Sequence, residues 1–98
     1  MISPDDINKA FENRVRLCIM TVLIANENMD FITLKQLLNV SDGNLSSHTA
    51  VLEELGYISG FKQFINRKSN TTYSITEEGR TAFKKHIETL EKLLKYTK

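Results

Sequence analysis

The sequence predicts a mainly α-helical domain with one small β-hairpin, an α+β fold, and three observations support this. Leucines recur at helical spacing on both sides of a turn-forming run between about residues 33 and 56. Aromatic and β-branched residues dominate two short segments between about 57 and 76. A last helical pattern occupies about residues 77–97. We expect one domain over residues 1–98, since a chain of this length supports one modest core.

The N-terminal segment predicts a first helix that begins next to Ser3. Ser3 is a suitable cap, Pro4 suits the first helical position, and Asp5 and Asp6 favour the positive end of the helix dipole. Further along, residues 17–25 are apolar nearly all round. We therefore expect this helix to be buried on more than one side, against its own core and against a second subunit.

Further expectations concern the end of this helix. Cys18 is the only cysteine, so no intrachain disulfide can form, and we expect it to be a small buried side chain in a reducing compartment. Phe31 and Ile32 follow a polar break and are expected to form a very short strand.

Residues 17–25 are too few to span a bilayer, and the first residues include the acids Asp5 and Asp6 where a signal region would be basic. These two observations predict a cytoplasmic protein without a membrane partner.

Residues 33–56 predict two short helices joined by a tight turn. Either Ser41 or Asp42 can cap the second helix, and Gly56 is placed to end it. Short polar side chains crowd the first turns of this second helix, as in helix-turn-helix proteins, whose short donors and acceptors reach base edges and phosphates in the major groove. The residues in question are Asn44, Ser46, Ser47, His48 and Thr49.

Residues 57–65 and 71–76 predict the two strands of a β-hairpin, with a polar and basic tip at 66–70. Gly60 is expected to mark a bulge or a bend in the first strand. After the hairpin, Thr76 is a suitable cap for the last helix. The apolar residues of that helix form a narrow stripe suited to pairing with another helix, and they are Phe83, Ile87, Leu90, Leu94 and Thr97.

The net charge of +1 is low for a protein that binds nucleic acid, so the distribution of charge has to support that function. No Asp or Glu occurs at residues 43–52 or at residues 55–76. These acid-free segments hold the polar face of the second helix and the basic hairpin. Their position favours DNA as the partner.

Four segments carry a resemblance to a known family. Ser-Asp-Gly-Asn-Leu-Ser-Ser-His at 41–48 and Leu-Glu-Glu-Leu-Gly-Tyr-Ile at 52–58 resemble the recognition helix of small winged-helix transcriptional regulators of the MarR/ArsR type. Residues 13–17 and 72–79 also match the pattern, in the right order. The chain is most similar to the short single-domain members. Thr49 is a departure, because the family usually has a leucine there that packs inward.

The resemblance implies a winged helix-turn-helix in which the hairpin is the wing and the N- and C-terminal helices form a dimer interface. It also implies a homodimeric regulator that binds double-stranded DNA sequence-specifically, as a repressor on a pseudo-palindromic operator. The candidate DNA-binding residues are Gly43, Asn44, Ser46, Ser47, His48, Thr49, Lys62, Arg67 and Lys68. The candidate dimer-interface residues are Phe11, Val15, Ile19, Phe83, Ile87, Leu90 and Leu94.

Two roles and one rival function stay open at this point. His48 either faces DNA or packs half-buried under its helix, and Arg14 and Arg16 either contact phosphate or cap and solvate the first helix. A winged-helix module that binds another protein and never touches DNA is the alternative function, which the near-neutral charge favours. Whether a small-molecule effector binds is not specified by the sequence.

Other function classes find no support. Cys18, His48 and His86 lack the spacing of metal ligands, so no metal site is expected. The chain has no glycine-rich phosphate loop, nucleophile elbow or paired catalytic carboxylates. We therefore expect neither a cofactor nor an enzyme.

Overall fold

The computed structural model describes residues 2–96 and contains four α-helices and one three-stranded antiparallel sheet within that range. The predicted α+β class is confirmed. None of the helices in these residues is long and apolar enough to cross a membrane. In chain order the elements are α1 (Arg14–Asn26), β1 (Asn28–Asp30), α2 (Phe31–Leu38), α3 (Asp42–Glu54), β2 (Ile58–Ile65), β3 (Lys68–Ile75) and α4 (Glu77–Leu94).

The first helix begins later than predicted. Ser3 caps only a 3₁₀ turn at Pro4–Asp6, and a second 3₁₀ turn follows at Lys9–Phe11. The Asn13 side chain then caps α1 by accepting hydrogen bonds from two backbone amides of its first turn. Ser and Asn side chains that bond to nearby amides compete with helix continuation, which explains why the segment is divided into three parts.

The short strand expected at Phe31 and Ile32 is also displaced. β1 starts three residues earlier, at Asn28–Asp30, and pairs with β3, so the sheet order is β1-β3-β2. The Asp30 carboxylate ends the strand by capping α2. It accepts hydrogen bonds from the hydroxyl of Thr33 at 2.5 Å and from its amide at 3.2 Å. These bonds hold the pKa of Asp30 below its usual value, and the bond from the Thr33 hydroxyl has the largest effect.

The turn between α2 and α3 uses the left-handed backbone and a serine cap. Asn39 adopts φ 53° and ψ 52° directly after α2, a conformation that asparagine tolerates well. The Ser41 hydroxyl accepts a hydrogen bond from the amide of Asn44 at 3.1 Å, which settles the choice of cap in favour of Ser41. Asp42, the first residue of α3, instead forms a 2.7 Å ion pair with Lys35 of α2.

The core lies where α1, α2 and α3 meet the sheet. The side chain of Ile19 has 0% of its surface exposed, and Phe11 has 3%. Cys18, directly before Ile19, is exposed, so the expected buried cysteine is wrong: α1 turns it away from this core. The buried apolar residues are Ala10, Phe11, Ile19, Met20, Leu23, Leu34, Leu45, Leu52, Ile58 and Tyr73.

The wing is a tighter hairpin than predicted. Its turn is the pair Asn66 and Arg67, both with positive φ (52° and 67°), as two-residue hairpin turns of the I′ type require. Lys68 is therefore in β3 and not in a five-residue tip. Of the bulge or bend expected at Gly60, the bulge is excluded, because β2 and β3 pair in an unbroken register in which Gly60 lies opposite Tyr73.

A junction formed by Gly56, Tyr57, Thr76 and Gly79 joins α3, the base of the wing and α4. Gly56 ends α3 with φ 79°, and the amides of Gly56 and Tyr57 bond back to the last turn of α3, which is the Schellman arrangement. The Thr76 hydroxyl donates to the carbonyl of Gly56 at 2.6 Å and accepts from the amide of Gly79 at 2.9 Å. The predicted caps at Gly56 and Thr76 are thus confirmed.

The predicted apolar stripe of α4 is only partly covered. Phe83 packs its ring edge-on against Phe11, with ring centroids 5.6 Å apart, whereas Leu94 is 84% exposed. Ile87 and Leu90 are also exposed. Thr97, the last residue of the predicted stripe, lies outside the described residues.

The structure corrects the predicted dimer interface. Phe11 and Ile19 are core residues of the subunit itself. These two side chains have almost no exposed surface to offer a partner, whereas the remainder of the interface stays a prediction. Ile19 was selected because residues 17–25 are apolar nearly all round, and the sequence pattern alone does not say which side faces the core.

We expect Gly79→Ala to destabilise the fold. A Cβ atom at this position would lie 2.0 Å from the carbonyl oxygen of Tyr57, and relieving that overlap requires the junction to open, at a cost of at least about 2 kcal/mol. Urea denaturation measures the change. Gly43→Ala is the matched control, since a Cβ there meets nothing within 4 Å, and it should leave the stability equal or slightly higher. Equal midpoints for Gly79→Ala and the wild type would contradict the role of the junction.

Candidate nucleic-acid interface

The solvent-facing side of α3 presents small polar groups. Leu45, Thr49 and Leu52 are buried at the helical spacing of one face. Apart from the half-buried His48, the remaining positions of the first two turns are exposed, so the backbone and short side chains of α3 are accessible to a large partner. The exposed candidates on this helix are Gly43, Asn44, Ser46 and Ser47.

Thr49 is not a DNA contact. Its side chain is 1% exposed, and its hydroxyl donates to the carbonyl oxygens of Leu45 at 3.0 Å and Ser46 at 3.1 Å. Thr49 therefore takes the inward position that the family fills with leucine, and it satisfies its polar group within the helix. The prediction failed because threonine was judged by its polarity and not by its place on the helix.

His48 is half-buried and is held by Arg16. The Nη1 atom of Arg16 lies 3.1 Å from Nδ1 of His48. Because a guanidinium can only donate, Nδ1 accepts and the proton of the neutral ring is on Nε2. Burial lowers the pKa of His48 below 6.5, and the positive charge of Arg16 lowers it further by a smaller amount. Arg16 also donates from Nε to the carbonyl of Ala10 at 2.8 Å, so it ties the N-terminal turn to α3.

This contact decides between the roles left open for Arg16. Its guanidinium is engaged inside the subunit, so Arg16 is a structural link and not a free phosphate contact. Arg14, by contrast, is exposed at the start of α1. His48 packs beneath α3 through Nδ1, and a contact to DNA is left to its Nε2 edge.

The N-terminus of α3 is open and nearly neutral. Nothing would lie within 4 Å of a Cβ on Gly43, so another molecule can approach the backbone closely. Asp42 would repel a phosphate at this place, but Lys35 pairs with its carboxylate at 2.7 Å. The positive end of the helix dipole therefore faces solvent without an uncompensated acid beside it.

A groove separates α3 from the wing. Ser46, Ala50 and Glu53 line it on the helix side, and Lys62, Ser69 and Thr71 line it on the strand side. The structure thus brings Lys62 to the same groove as Ser46, although they are far apart in sequence. Ser69 and Thr71 were missed by the sequence analysis, because only the register of β3 against β2 shows which side of the hairpin they face.

The basic groups of the wing lie beyond this groove. Arg67 is in the turn and Lys68 is the first residue of β3, and both are exposed. No acid occurs at residues 55–76, although Glu53 of α3 contributes one carboxylate to the groove. Within residues 2–96 no three His, Cys, Asp or Glu side chains are grouped so as to hold a metal ion.

Comparison with known proteins identifies the fold. Residues 15–94 match the family described as a winged helix DNA-binding domain. The chain is 40% identical over 79 residues to an uncharacterized protein of Methanocaldococcus jannaschii. The aligned residues cover 81% of this chain and 86% of the relative.

Solved structures agree. A transcriptional regulator homologue of Pyrococcus horikoshii superposes with a TM-score of 0.80 at 30% identity, covering 87% of this chain and 84% of that one. An ArsR family transcriptional regulator shares the fold, with a TM-score of 0.65 at 20% identity and 100% of both chains covered. The predicted resemblance to small winged-helix regulators is confirmed, as is the prediction that the chain is not an enzyme.

The contact between Arg16 and His48 predicts a specific titration. Removing the charge in Arg16→Gln should raise the pKa of His48 toward 6.5, whereas that of His86, which is lowered by burial, should not move. Titration of the ring protons by NMR measures both groups in one sample. A pKa of His48 that is the same in both proteins would show that Arg16 exerts no charge effect on the ring.

The same shift fixes the sign of a pH effect on folding. The pKa of His48 is lower in the folded chain than its usual 6.5, so the unfolded chain binds the proton more tightly. The stabilising contribution of the neutral ring is complete above about pH 6.5 and is lost as the pH falls through the folded-state pKa.

Proposed function

The chain belongs to the winged helix DNA-binding domain family, and on that premise we propose that it is a homodimeric transcriptional repressor, located in the cytoplasm, that binds a pseudo-palindromic operator. The observation that carries the proposal is the pairing, across one groove, of the polar face of α3 with the basic wing. Both parts are free of acids over most of their length. Such a surface suits a polyanion that is read through its base edges.

In the proposed complex α3 enters the major groove. Asn44 can accept from and donate to the edge of adenine, and Ser46 and Ser47 can bond to bases or phosphates. The amide of Gly43 is available to a phosphate oxygen at the N-terminus of the helix. Because the exposed part of α3 has no lysine or arginine, the charge attraction has to come from Lys62, Arg67 and Lys68 of the wing.

The dimer rests on α4 in this proposal. Ile87, Leu90 and Leu94 leave an apolar stripe exposed on the single subunit, and Leu93, which the sequence analysis did not select, is exposed as well. Burying this stripe against its copy removes it from water. Two-fold symmetry would then place the two α3 helices in successive major grooves, about 34–36 Å apart.

Repression follows as the simplest consequence of such binding. A dimer that covers two successive major grooves excludes other proteins from the same stretch of a promoter.

The rival function is a winged helix that binds only protein. It is supported by the net charge of +1 and by the absence of basic residues from the exposed side of α3. The two proposals differ in a measurement on DNA.

Selection from random duplex DNA tests the proposal. We expect binding that weakens steeply as salt is raised, because released counterions drive the association, and enrichment of an inverted repeat from the bound fraction. The repeat would establish both the operator and the two-fold symmetry of the dimer. Absence of binding even at low salt would remove the DNA proposal and favour the protein-binding module.

Two substitutions separate positioning from sequence reading on the selected site. Arg67→Ala should weaken binding to every DNA sequence and reduce the salt slope by about one unit. Asn44→Ala should cost about 1–3 kcal/mol on the selected site and far less on random DNA. Fluorescence anisotropy across a salt series measures both. Lys92→Ala in the last turn of α4 removes the same charge outside the proposed surface and should change neither quantity.

An unchanged salt slope for Arg67→Ala would exclude the wing turn from the contact. If Asn44→Ala lost equal affinity on selected and random DNA, Asn44 would position the protein and would not read bases.

A further inference from the structure

The wing carries an aromatic side chain that the fold does not use. Phe64, next to the last residue of β2, is 83% exposed. Phe61 on the same strand is 62% exposed. A large apolar ring in water is unfavourable for the isolated subunit, since burial of apolar surface is stabilising. The ring of Phe64 is therefore available for contact with another molecule.

The two rings lie on opposite sides of the hairpin. Successive residues of a strand point to alternate faces, so Gly60, Lys62 and Phe64 share one face and Phe61 has the other. A Cβ built on Gly60 would meet the carboxylate of Glu53 at 3.1 Å, which shows that this face is turned toward α3. Phe64 is therefore on the α3 side of the wing.

The strand partners agree with this assignment. Phe64 lies directly opposite Ser69, and Lys62 lies opposite Thr71. Ser69, Thr71 and Lys62 all line the groove between α3 and the wing. Cross-strand partners share a face, so Phe64 continues the wall of this groove toward the turn of the wing.

The surroundings of Phe64 point to an anionic partner. Lys62, Arg67 and Lys68 are all within four residues of it, and residues 55–76 contain no acid. The positive charges would bind a partner with phosphates on its outside, and the exposed flat ring would bind stacked apolar faces on its inside. Duplex DNA has this construction, and apolar side chains inserted between base steps are a recurrent way of bending it from the minor groove.

We propose that Phe64 is a wedge that enters the minor groove beside the α3 contact, inserts between two base pairs and bends the DNA. This inference rests on the proposed DNA-binding function and extends it to specificity. Pyrimidine–purine steps such as TA and CA unstack most easily. The wedge would therefore select these steps at a position that α3 does not touch, in addition to the bases that α3 reads.

The test uses the wild-type protein and three variants on the selected duplex. Labels at the two DNA ends report the bend by energy transfer, and anisotropy reports the affinity for duplexes with either a TA step or a stiff A-tract at the wing position. Wild-type protein should bend the duplex by at least roughly 20° and prefer the TA step. Phe64→Ala should abolish the bend and reduce the step preference about tenfold or more, whereas Phe64→Leu should retain most of both.

Phe61→Ala is the matched control, because it removes another exposed ring of the same type from the opposite face of the same strand. It should bend DNA as the wild type does. All variants should have the same melting temperature, since neither ring is part of the core.

The outcomes separate this inference from the proposed function. If the wild type binds the selected duplex and Phe64→Ala retains its bend and step preference, the wedge is overturned and the DNA-binding function stands. If Phe61→Ala loses as much as Phe64→Ala, the effect belongs to the whole wing tip, and the wedge is overturned too. A wild type that binds no DNA overturns both proposals at once.

Discussion

The close contact between Gly79 and the carbonyl oxygen of Tyr57 is the constraint on which the arrangement of the other elements depends. Around it, Thr76 bonds to Gly56, and both ends of the wing meet the end of α3 and the start of α4. This junction fixes the base of the wing against the end of α3, and the pairing of β3 with β1 supports the wing from the other side. The groove between them, and with it the candidate DNA surface, follows from that geometry.

The polar face of α3 is available because the inner face of the helix is already satisfied. Thr49 donates its hydroxyl within the helix, and Arg16 engages the buried side of His48. What remains outside is neutral and short, and it suits recognition of base edges. The positive charge of the candidate DNA surface is on the wing instead, where it suits phosphates. Specificity and electrostatic attraction are thus assigned to different elements of one surface.

Local interactions explain which parts of the structure could be predicted. The caps at Ser41 and Thr76 and the helix end at Gly56 depend on residues within a few positions of one another, and the sequence contains all the partners. The helix-turn-helix and the hairpin follow from hydrophobic period and turn chemistry in the same way. By itself the sequence therefore determined the order of the elements and the family to which the chain belongs.

Tertiary contacts decided what a linear pattern cannot express. Only packing shows that Ile19 faces the core and that Cys18 does not, since a helix segment that is apolar nearly all round has no preferred side until its neighbours are placed. The pairing of β1 with β3 joins residues more than forty positions apart, and the register of the wing alone puts Phe64 on the side of α3. Sequence determined which elements form, whereas the tertiary structure decided which side chains each element presents, because burial depends on partners that are distant along the chain.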